Sequence, residues 1–281
     1  QGLILFLGGL FLYKTKHMDL AGIISCAGVF SVFFGFMYGS FFGFEDVLKA
    51  IWLKPMNQMM DVPLVGRLNA VFVIAIGFGM FIILICMIFN IINSIRNKDT
   101  EKAWFDSNAV AGLVFYGSIV LTVGLFISGK KLPATAVLVV MFGVPLLLMF
   151  LKEPLTNLVE KKSEIFPEQK GMFFVQSFFE LFEVLLSYLS NTLSFLRIGA
   201  FAVSHAAMME VVLMLAGATN GGSPNWIVVV LGNIFVCAME GLIVGIQVLR
   251  LEYYEIFSRF YAGNGREFQP FMKTLRKSAQ K

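Results

Sequence analysis

Two arginines lie in long apolar stretches of this 281-residue chain, where a charged side chain needs a chemical reason. Arg197 sits in the middle of SYLSNTLSFLRIGAFAVSHAAM, and Arg250 closes the run MEGLIVGIQVLR. A guanidinium keeps its charge in proteins, and placing it at membrane depth costs from about 2.5 to more than 10 kcal/mol. Such an arginine marks a functional site by default, typically on an ion path.

Other polar side chains share the side of the helix that carries Arg197. On a helical wheel of about 100° per residue, Glu183, Ser190, Ser194 and His205 all fall within about 80° of Arg197. The opposite side carries leucine, phenylalanine, valine and alanine. Buried polar groups of membrane helices face a cavity or a partner, so this stripe is the candidate site. Two further acids of the stretch fall off the stripe, namely Glu180 and Glu210.

The last apolar run carries a polar residue at every seventh position: Asn233, Glu240, Gln247 and Tyr254. A polar heptad predicts a seam that faces another helix or an aqueous cleft. At 1.5 Å per residue, Glu183 lies about 21 Å to the cytoplasmic side of Arg197 and His205 about 12 Å to the outer side. This order suits two offset half-channels separated by a positive barrier.

Each candidate also has a structural interpretation. Arg197 could form an ion pair that only stabilises the fold, and Arg250 could extend its side chain to the inner membrane interface. His205 could be a packing histidine, and Glu183 could lie among lipid headgroups. The segment GLFISGKK resembles a phosphate-binding loop, but Lys131 replaces the required Ser or Thr and no strand precedes it. We therefore predict no nucleotide site, no metal cluster and no nucleophile.

The elements that position these residues are membrane helices. The chain is 58% hydrophobic and only 14% charged, with a mean hydropathy of +0.79, whereas soluble domains carry about 25% charged residues. A net charge of +4 in such a chain gives no reason to expect a nucleic-acid partner. We predict seven apolar stretches, at Gly2–Tyr13, Leu20–Phe44, Ala70–Asn93, Asn108–Ser128, Ala134–Leu151, Phe173–Ala216 and Trp226–Tyr261.

The distribution of lysine and arginine predicts the orientation. With a cytoplasmic C-terminus, most of the 22 lysines and arginines fall in cytoplasmic segments, as the positive-inside rule requires. The outer loop Glu45–Asn69 then holds a predicted interfacial helix and a turn at Pro63 and Gly66. The inner loop Lys152–Lys170 is either a contact for a soluble partner or a plain connection.

Two segments carry a specific resemblance, LSNTLSFLRIGAFAVSHA and MEGLIVGIQVLRLEYYEIFSRFYAGNGREFQPF. They resemble the membrane half of the stator subunit of rotary V-type and A-type ATPases, called subunit a or subunit I. QGLILFLGGLF and GVFSVFFGFMYGSFFG resemble earlier parts of that family, so the resemblance covers residues 1–281 as one C-terminal membrane domain. It implies an all-α polytopic membrane bundle whose two long, tilted C-terminal helices face a proteolipid ring. It also implies that an N-terminal cytoplasmic domain and a first span precede this segment.

The resemblance implies a role for each polar candidate. Arg197 matches the essential arginine that faces the ring, and Arg250 matches the second arginine. Glu183 matches the acid of the inner half-channel, whereas His205 and Glu240 match groups of the outer one. Gln247 stands where eukaryotic members carry histidine, a departure that looks prokaryotic and leaves a proton relay at this position in question.

The implied function is ion translocation without catalysis. The chain would carry H⁺ or Na⁺ through two half-channels at the proteolipid c-ring, bind no cofactor and leave ATP chemistry to other subunits. Implied partners are the c-ring, the peripheral and central stalk subunits and membrane lipid, in a prokaryotic plasma membrane. A self-contained secondary transporter is the alternative, and the motifs without the resemblance leave the two close to even. A purely structural scaffold is disfavoured by Arg197.

Overall fold

The computed structural model describes residues 2–39, 51, 59–62, 66–97, 99, 103–131, 133–159, 170–218, 224–261 and 263. The chain is helical over most of these ranges. The helices are α1 (Gly2–Lys16), α2 (Asp19–Tyr38), α3 (Ala70–Arg96), α4 (Val110–Ile127), α5 (Thr135–Phe150), α6 (Lys152–Val159), α7 (Lys170–Ser194), α8 (Leu196–Leu215), α9 (Trp226–Leu251) and α10 (Ser258–Phe260). A π-helical turn, Glu252–Phe257, joins α9 to α10.

One small β-hairpin accompanies the helices. Strands β1 (Met59–Val62) and β2 (Gly66–Asn69) pair antiparallel, with Val62 opposite Gly66. The predicted interfacial helix is therefore wrong at Met59–Val62, and most of the rest of it lies outside the described residues. Gly66 adopts a φ of +86°, which glycine tolerates without the strain that a Cβ would cause. Asn69 then caps α3, since its side chain accepts a hydrogen bond from the Val71 N–H at 3.1 Å.

Five helical segments of the described chain are long and apolar enough to cross a membrane: Asp19–Tyr38, Ala70–Arg96, Val110–Ile127, Gly171–Leu215 and Trp226–Phe260. Large apolar side chains on their outer faces are exposed, for example Phe78 and Phe235, as suits surfaces in contact with lipid tails. The architecture is thus the predicted all-α, multi-pass membrane bundle.

Three predicted stretches differ from single straight spans. α1 has 15 residues, fewer than the roughly 20 that cross a bilayer. α5 and α6 together make a sixth crossing only if their 73° bend is counted within one span. The loop predicted from Lys152 onward therefore begins as a helix, α6. The sixth stretch is broken at Phe195, between α7 and α8.

Glycines let α1 and α2 pack backbone to backbone. A Cβ at Gly9 would lie 2.7 Å from the Ser25 nitrogen, and one at Gly28 would lie 2.4 Å from the Phe6 nitrogen. The Ser25 hydroxyl also donates to the Phe6 carbonyl at 3.2 Å. Small residues of this kind bring membrane helices close enough for van der Waals and polar contacts.

The main apolar core surrounds α3. It joins side chains from α3, α4, α5, α7 and α9 with the junction residue Phe195; its buried members are Met80, Ile83, Met87, Ala111, Phe115, Tyr116, Met149, Tyr188, Phe195 and Leu251. Within it the Tyr116 hydroxyl lies 2.7 Å from the Thr192 hydroxyl. That contact satisfies two buried polar groups and links α4 to α7.

A glycine notch on α3 receives the junction between α7 and α8. Phe195 is 0% exposed, and a Cβ on Gly79 would lie 2.2 Å from its ring. Further along, Gly199 of α8 approaches Phe72 so closely that a Cβ would lie 2.9 Å from the ring. The missing side chains therefore set how closely α8 lies against α3.

We expect Gly79→Ala to destabilise the fold by about 1–3 kcal/mol, because the added methyl group overlaps the Phe195 ring. Gly77→Ala is the matched control, since a Cβ at Gly77 meets nothing within 4 Å on the same helix. Thermal unfolding in detergent measures the difference. Equal midpoints for the two variants would contradict the notch.

Candidate functional site

The candidate site is the interface between α8 and α9, which we call the polar seam. It is defined by Arg197 and His205 on α8 and by Gln247 and Glu240 on α9. The Nη1 group of Arg197 donates to the main-chain carbonyl of Gln247 at 3.2 Å. Eight residues along α8, His205 Nδ1 lies 2.5 Å from the Oε2 atom of Glu240. Residue numbers rise on one helix as they fall on the other, so α8 and α9 are antiparallel.

Apolar contacts continue the interface between α8 and α9 beyond His205. Met209 and Val212 of α8 pack with Val236 of α9. A Cβ at Gly232 would lie 2.5 Å from a Val212 methyl group, so this glycine admits the valine. The seam is polar from Arg197 to His205, and beyond His205 the interface is apolar and tightly packed.

The break before α8 places Arg197. The Phe195 N–H donates to the Thr192 carbonyl at 3.3 Å, and the Ile198 N–H donates to the Phe195 carbonyl at 3.1 Å. These are the tighter i→i+3 bonds of a 3₁₀-like turn rather than α-helical bonds. Because Phe195 is buried in the notch at Gly79, the backbone that carries Arg197 two residues later is held in place.

Arg197 keeps an uncompensated charge within the described chain. Its side chain is half-buried, and its hydrogen bond uses a neutral carbonyl as the acceptor. Among the described residues, ion pairs occur at Lys152–Glu180 and His205–Glu240, and Arg197 belongs to neither. A guanidinium carries five N–H donors, so donors and charge remain for an acidic group from outside.

Gln247 contributes its backbone rather than its side chain. The acceptor for Arg197 is the main-chain carbonyl, which any residue would supply at this position. The contact with Arg197 therefore does not depend on which side chain position 247 carries.

His205 and Glu240 form the second polar pair of the seam. Their side chains are 39% and 16% exposed, so Glu240 is the more enclosed partner. At 2.5 Å the imidazole N–H donates and the carboxylate accepts, in a charge-assisted hydrogen bond when His205 is protonated. The pair lies about 12 Å along α8 from Arg197, and it can hold or pass a proton.

The structure does not bring Glu183, Ser190 or Ser194 into contact with the Arg197 side chain. Glu183 and Ser190 are exposed on α7, and Ser194 is half-buried. The Ser194 hydroxyl donates to the Ser190 carbonyl at 3.0 Å, so it satisfies itself within the helix.

The structure separates Arg250 and Tyr254 from the polar seam. Arg250 is exposed, and no described acid lies within ion-pair distance of it. Tyr254 is 70% exposed and Asn233 is buried, whereas Glu240 and Gln247 contact α8. The wider π turn at Glu252–Phe257 rotates the side chains that follow away from the α-helical pattern.

The sequence pattern did not single out two pairs of charged residues that the structure brings together. Arg259 and Glu255 are both buried, at 6% and 4% exposure. Lys152 and Glu180 form an ion pair, although Glu180 falls off the stripe. The available signal was the spacing of Glu255 and Arg259, which at four residues places them on one helix face.

The described residues contain no group of three His, Cys, Asp or Glu side chains that could hold a metal ion. The polar seam itself offers the fixed charge of Arg197 and two proton-bearing side chains, His205 and Glu240.

Comparison with known proteins shows a likeness to one family. Residues 152–273 match the model of the V-type ATPase 116 kDa subunit family. A-type ATP synthase subunit I of Aeropyrum pernix is 27% identical over 96% of this chain and 44% of that protein. Subunit I of Saccharolobus solfataricus is 42% identical over 32% of this chain and 14% of that protein.

A eukaryotic relative matches a shorter part of the chain. Human V-type proton ATPase 116 kDa subunit a 3 is 31% identical over 40% of this chain and 15% of that protein. The chain spans less than half the length of these curated relatives. Residues 152–273, which the family model matches, contain all four residues of the polar seam. The chain is thus similar to the V-type ATPase 116 kDa subunit family over residues 152–273 and to archaeal subunit I over most of its length.

Proposed function

We propose that this chain is the ion-translocating membrane part of a rotary V/A-type ATPase stator. It provides two half-channels for H⁺ or Na⁺ at a proteolipid c-ring and couples ion flow to rotation of that ring. ATP is hydrolysed or made on other subunits, so the chain itself is not catalytic. The names of its relatives, A-type ATP synthase subunit I and V-type proton ATPase subunit a, support this assignment.

The observation that carries the proposal is the uncompensated charge of Arg197. Its hydrogen bond to the Gln247 carbonyl orients the guanidinium but does not neutralise it. A buried charge in a membrane protein is normally paired, and the described chain offers no acid to Arg197. A carboxylate carried past on a partner would complete the pair transiently.

The physical consequence is an ion exchange at each passing carboxylate. A positive charge within about 4–6 Å favours the ionised form of a carboxylate, so an approaching ring site releases its H⁺ or Na⁺ near Arg197. The same charge repels free cations, which blocks a direct leak between the half-channels. Each elementary charge that crosses 100 mV is worth about 2.3 kcal/mol, which several ions per turn would couple to ATP chemistry.

The other candidates take the two sides of this barrier. Glu183, on the exposed face of α7, is the proposed inner half-channel acid, with Ser190 and Ser194 between it and Arg197. His205 and Glu240, already in contact, are the proposed outer half-channel pair. Arg250, exposed on α9, supplies a second positive charge toward the ring, and Gln247 acts through its carbonyl.

We expect Arg197→Ala to lower ATP-driven ion uptake by reconstituted complexes by at least about tenfold, the effect of losing 1.4 kcal/mol of stabilisation. Arg96→Ala, which removes an exposed arginine at the end of α3, is the control and should transport normally. Uptake and ATPase activity are measured on complexes whose subunit content is checked. Normal coupled uptake in an assembled Arg197→Ala complex would refute the proposed function.

We expect His205→Ala and Glu240→Gln each to slow uptake, since the first removes the imidazole from the 2.5 Å contact and the second removes the carboxylate charge. If the pair acts as one unit, the double variant costs no more than the worse single variant. Glu210→Gln, an exposed acid on the same helix as His205, is the control and should leave the rate unchanged. Strictly additive losses would show that the two side chains act separately.

A further inference from the structure

The short helix α10, which follows α9 after the π turn, holds a buried arginine that the proposed ion path does not use. Arg259 is 6% exposed and Glu255, four residues earlier, is 4% exposed. One oxygen of Glu255 has no hydrogen-bond partner among the described residues, and the Arg259 charge interacts with it electrostatically. Burying two ionisable groups is costly unless they are well paired, so this site needs an explanation.

The guanidinium of Arg259 connects three parts of the bundle. Its Nε–H donates to the Glu255 carbonyl at 3.1 Å, and its Nη1 group donates to the Asn108 side-chain oxygen at 2.9 Å. Its Cζ atom lies 5.9 Å from the centre of the Tyr188 ring, within range of a cation–π interaction. The Tyr188 hydroxyl in turn donates to the Ser107 carbonyl. We call Arg259, Asn108 and Tyr188 the inner clamp.

Side chains of α3 also contact Asn108 and the segment around Arg259. The Asn90 side chain donates to the Asn108 carbonyl at 3.0 Å, and the Asn93 side chain donates to the Phe260 carbonyl at 3.4 Å. The rings of Phe89 and Phe260 meet edge to face at 5.9 Å. The end of α9 is thus tied both to the central helix and to the segment before α4.

The π turn brings the buried residues of this end into line. Leu251, Glu255 and Arg259 are all buried at intervals of four residues. In an α-helix two intervals of four residues rotate the side chain by about 80° in total, which takes the third residue toward the edge of the buried face. The wider π turn reduces that drift and points Arg259 inward.

The clamp joins the two helices whose continuations form the polar seam. Arg259 lies 12 residues beyond Gln247, about 18 Å along the helix, and Tyr188 lies nine residues before Arg197, about 14 Å away. A shift or rotation of α9 at the clamp would displace the Gln247 carbonyl from Arg197. It would likewise displace Glu240 from His205.

We propose that Arg259 is a positioning residue for ion translocation: through Asn108 and Tyr188 it sets the height and rotation of α9 relative to α8. The inference rests on the proposed function, because its readout is coupled transport. Arg259 acts through the seam and does not itself contact the ion or the ring carboxylate.

The test compares Arg259→Met with Arg96→Met in reconstituted, assembled complexes. Both variants replace an arginine on the same side of the bundle by methionine, but Arg96 is exposed. We expect Arg259→Met to lower the number of ions taken up per ATP hydrolysed by about tenfold or more, because small misplacements of acting groups have effects of this size or larger. Arg259→Lys, which keeps the charge and one donor, should recover part of the ratio.

A second variant keeps the charge intact if Arg259→Met fails to assemble. Asn108→Ala removes the acceptor of Arg259 and should lower the same ratio, whereas Asn97→Ala, an exposed amide at the end of α3, should not. An unchanged ratio in Arg259→Met or Asn108→Ala overturns the inference. A parallel fall of uptake and ATPase activity also overturns it, because that result means only that the clamp stabilises the fold.

The parallel Arg197→Ala complex separates the two proposals. If the Arg197→Ala complex loses transport while Arg259→Met and Arg96→Met take up the same number of ions per ATP hydrolysed, the proposed function stands. The positioning role of Arg259 is then refuted. If the Arg197→Ala complex transports normally, the function itself is wrong, whatever Arg259 does.

Discussion

Arg197 is a permanent charge in a membrane helix, and its hydrogen-bond acceptor is a neutral carbonyl on the neighbouring helix. A main-chain carbonyl cannot move independently of its helix, so the orientation of the guanidinium depends on the placement of α9 against α8. That placement has to come from other contacts, since one hydrogen bond contributes only about 0.5–1.5 kcal/mol net. The rest of the bundle provides them.

Two of the supporting contacts lie on either side of Arg197 and His205. Phe195 fills the notch at Gly79 and fixes the start of α8. Val212 fits over Gly232 and closes the outer end of the seam. These contacts rest on glycines whose missing side chains let neighbouring helices approach, the usual basis of helix association in lipid.

Irregular backbone lies on both sides of the polar seam. The tight turn at Phe195 precedes Arg197 by two residues, and the π turn begins two residues after Arg250. Both change the direction in which later side chains point, and such turns recur at functional sites. Here the two turns place the buried residues Phe195 and Arg259 and the half-buried Arg197 in different directions along the chain.

The sequence alone determined the membrane class, the helical architecture, most of the span positions and the singular position of Arg197, because hydropathy and the cost of a buried charge are local properties. Depth along a helix also follows from residue counting, and the resemblance predicted His205 and Glu240 as groups of the same half-channel. Their 2.5 Å contact is consistent with that placement.

Only the tertiary structure decided which arginines are enclosed. Arg250 and Arg259 both follow the same apolar run, yet Arg250 is exposed and Arg259 is buried against Asn108 and Tyr188. Helical periodicity cannot predict this difference, since the π turn departs from 3.6 residues per turn and the partners are distant in sequence. The acceptor of Arg197 was equally hidden, because a backbone carbonyl has no signature in the side-chain pattern.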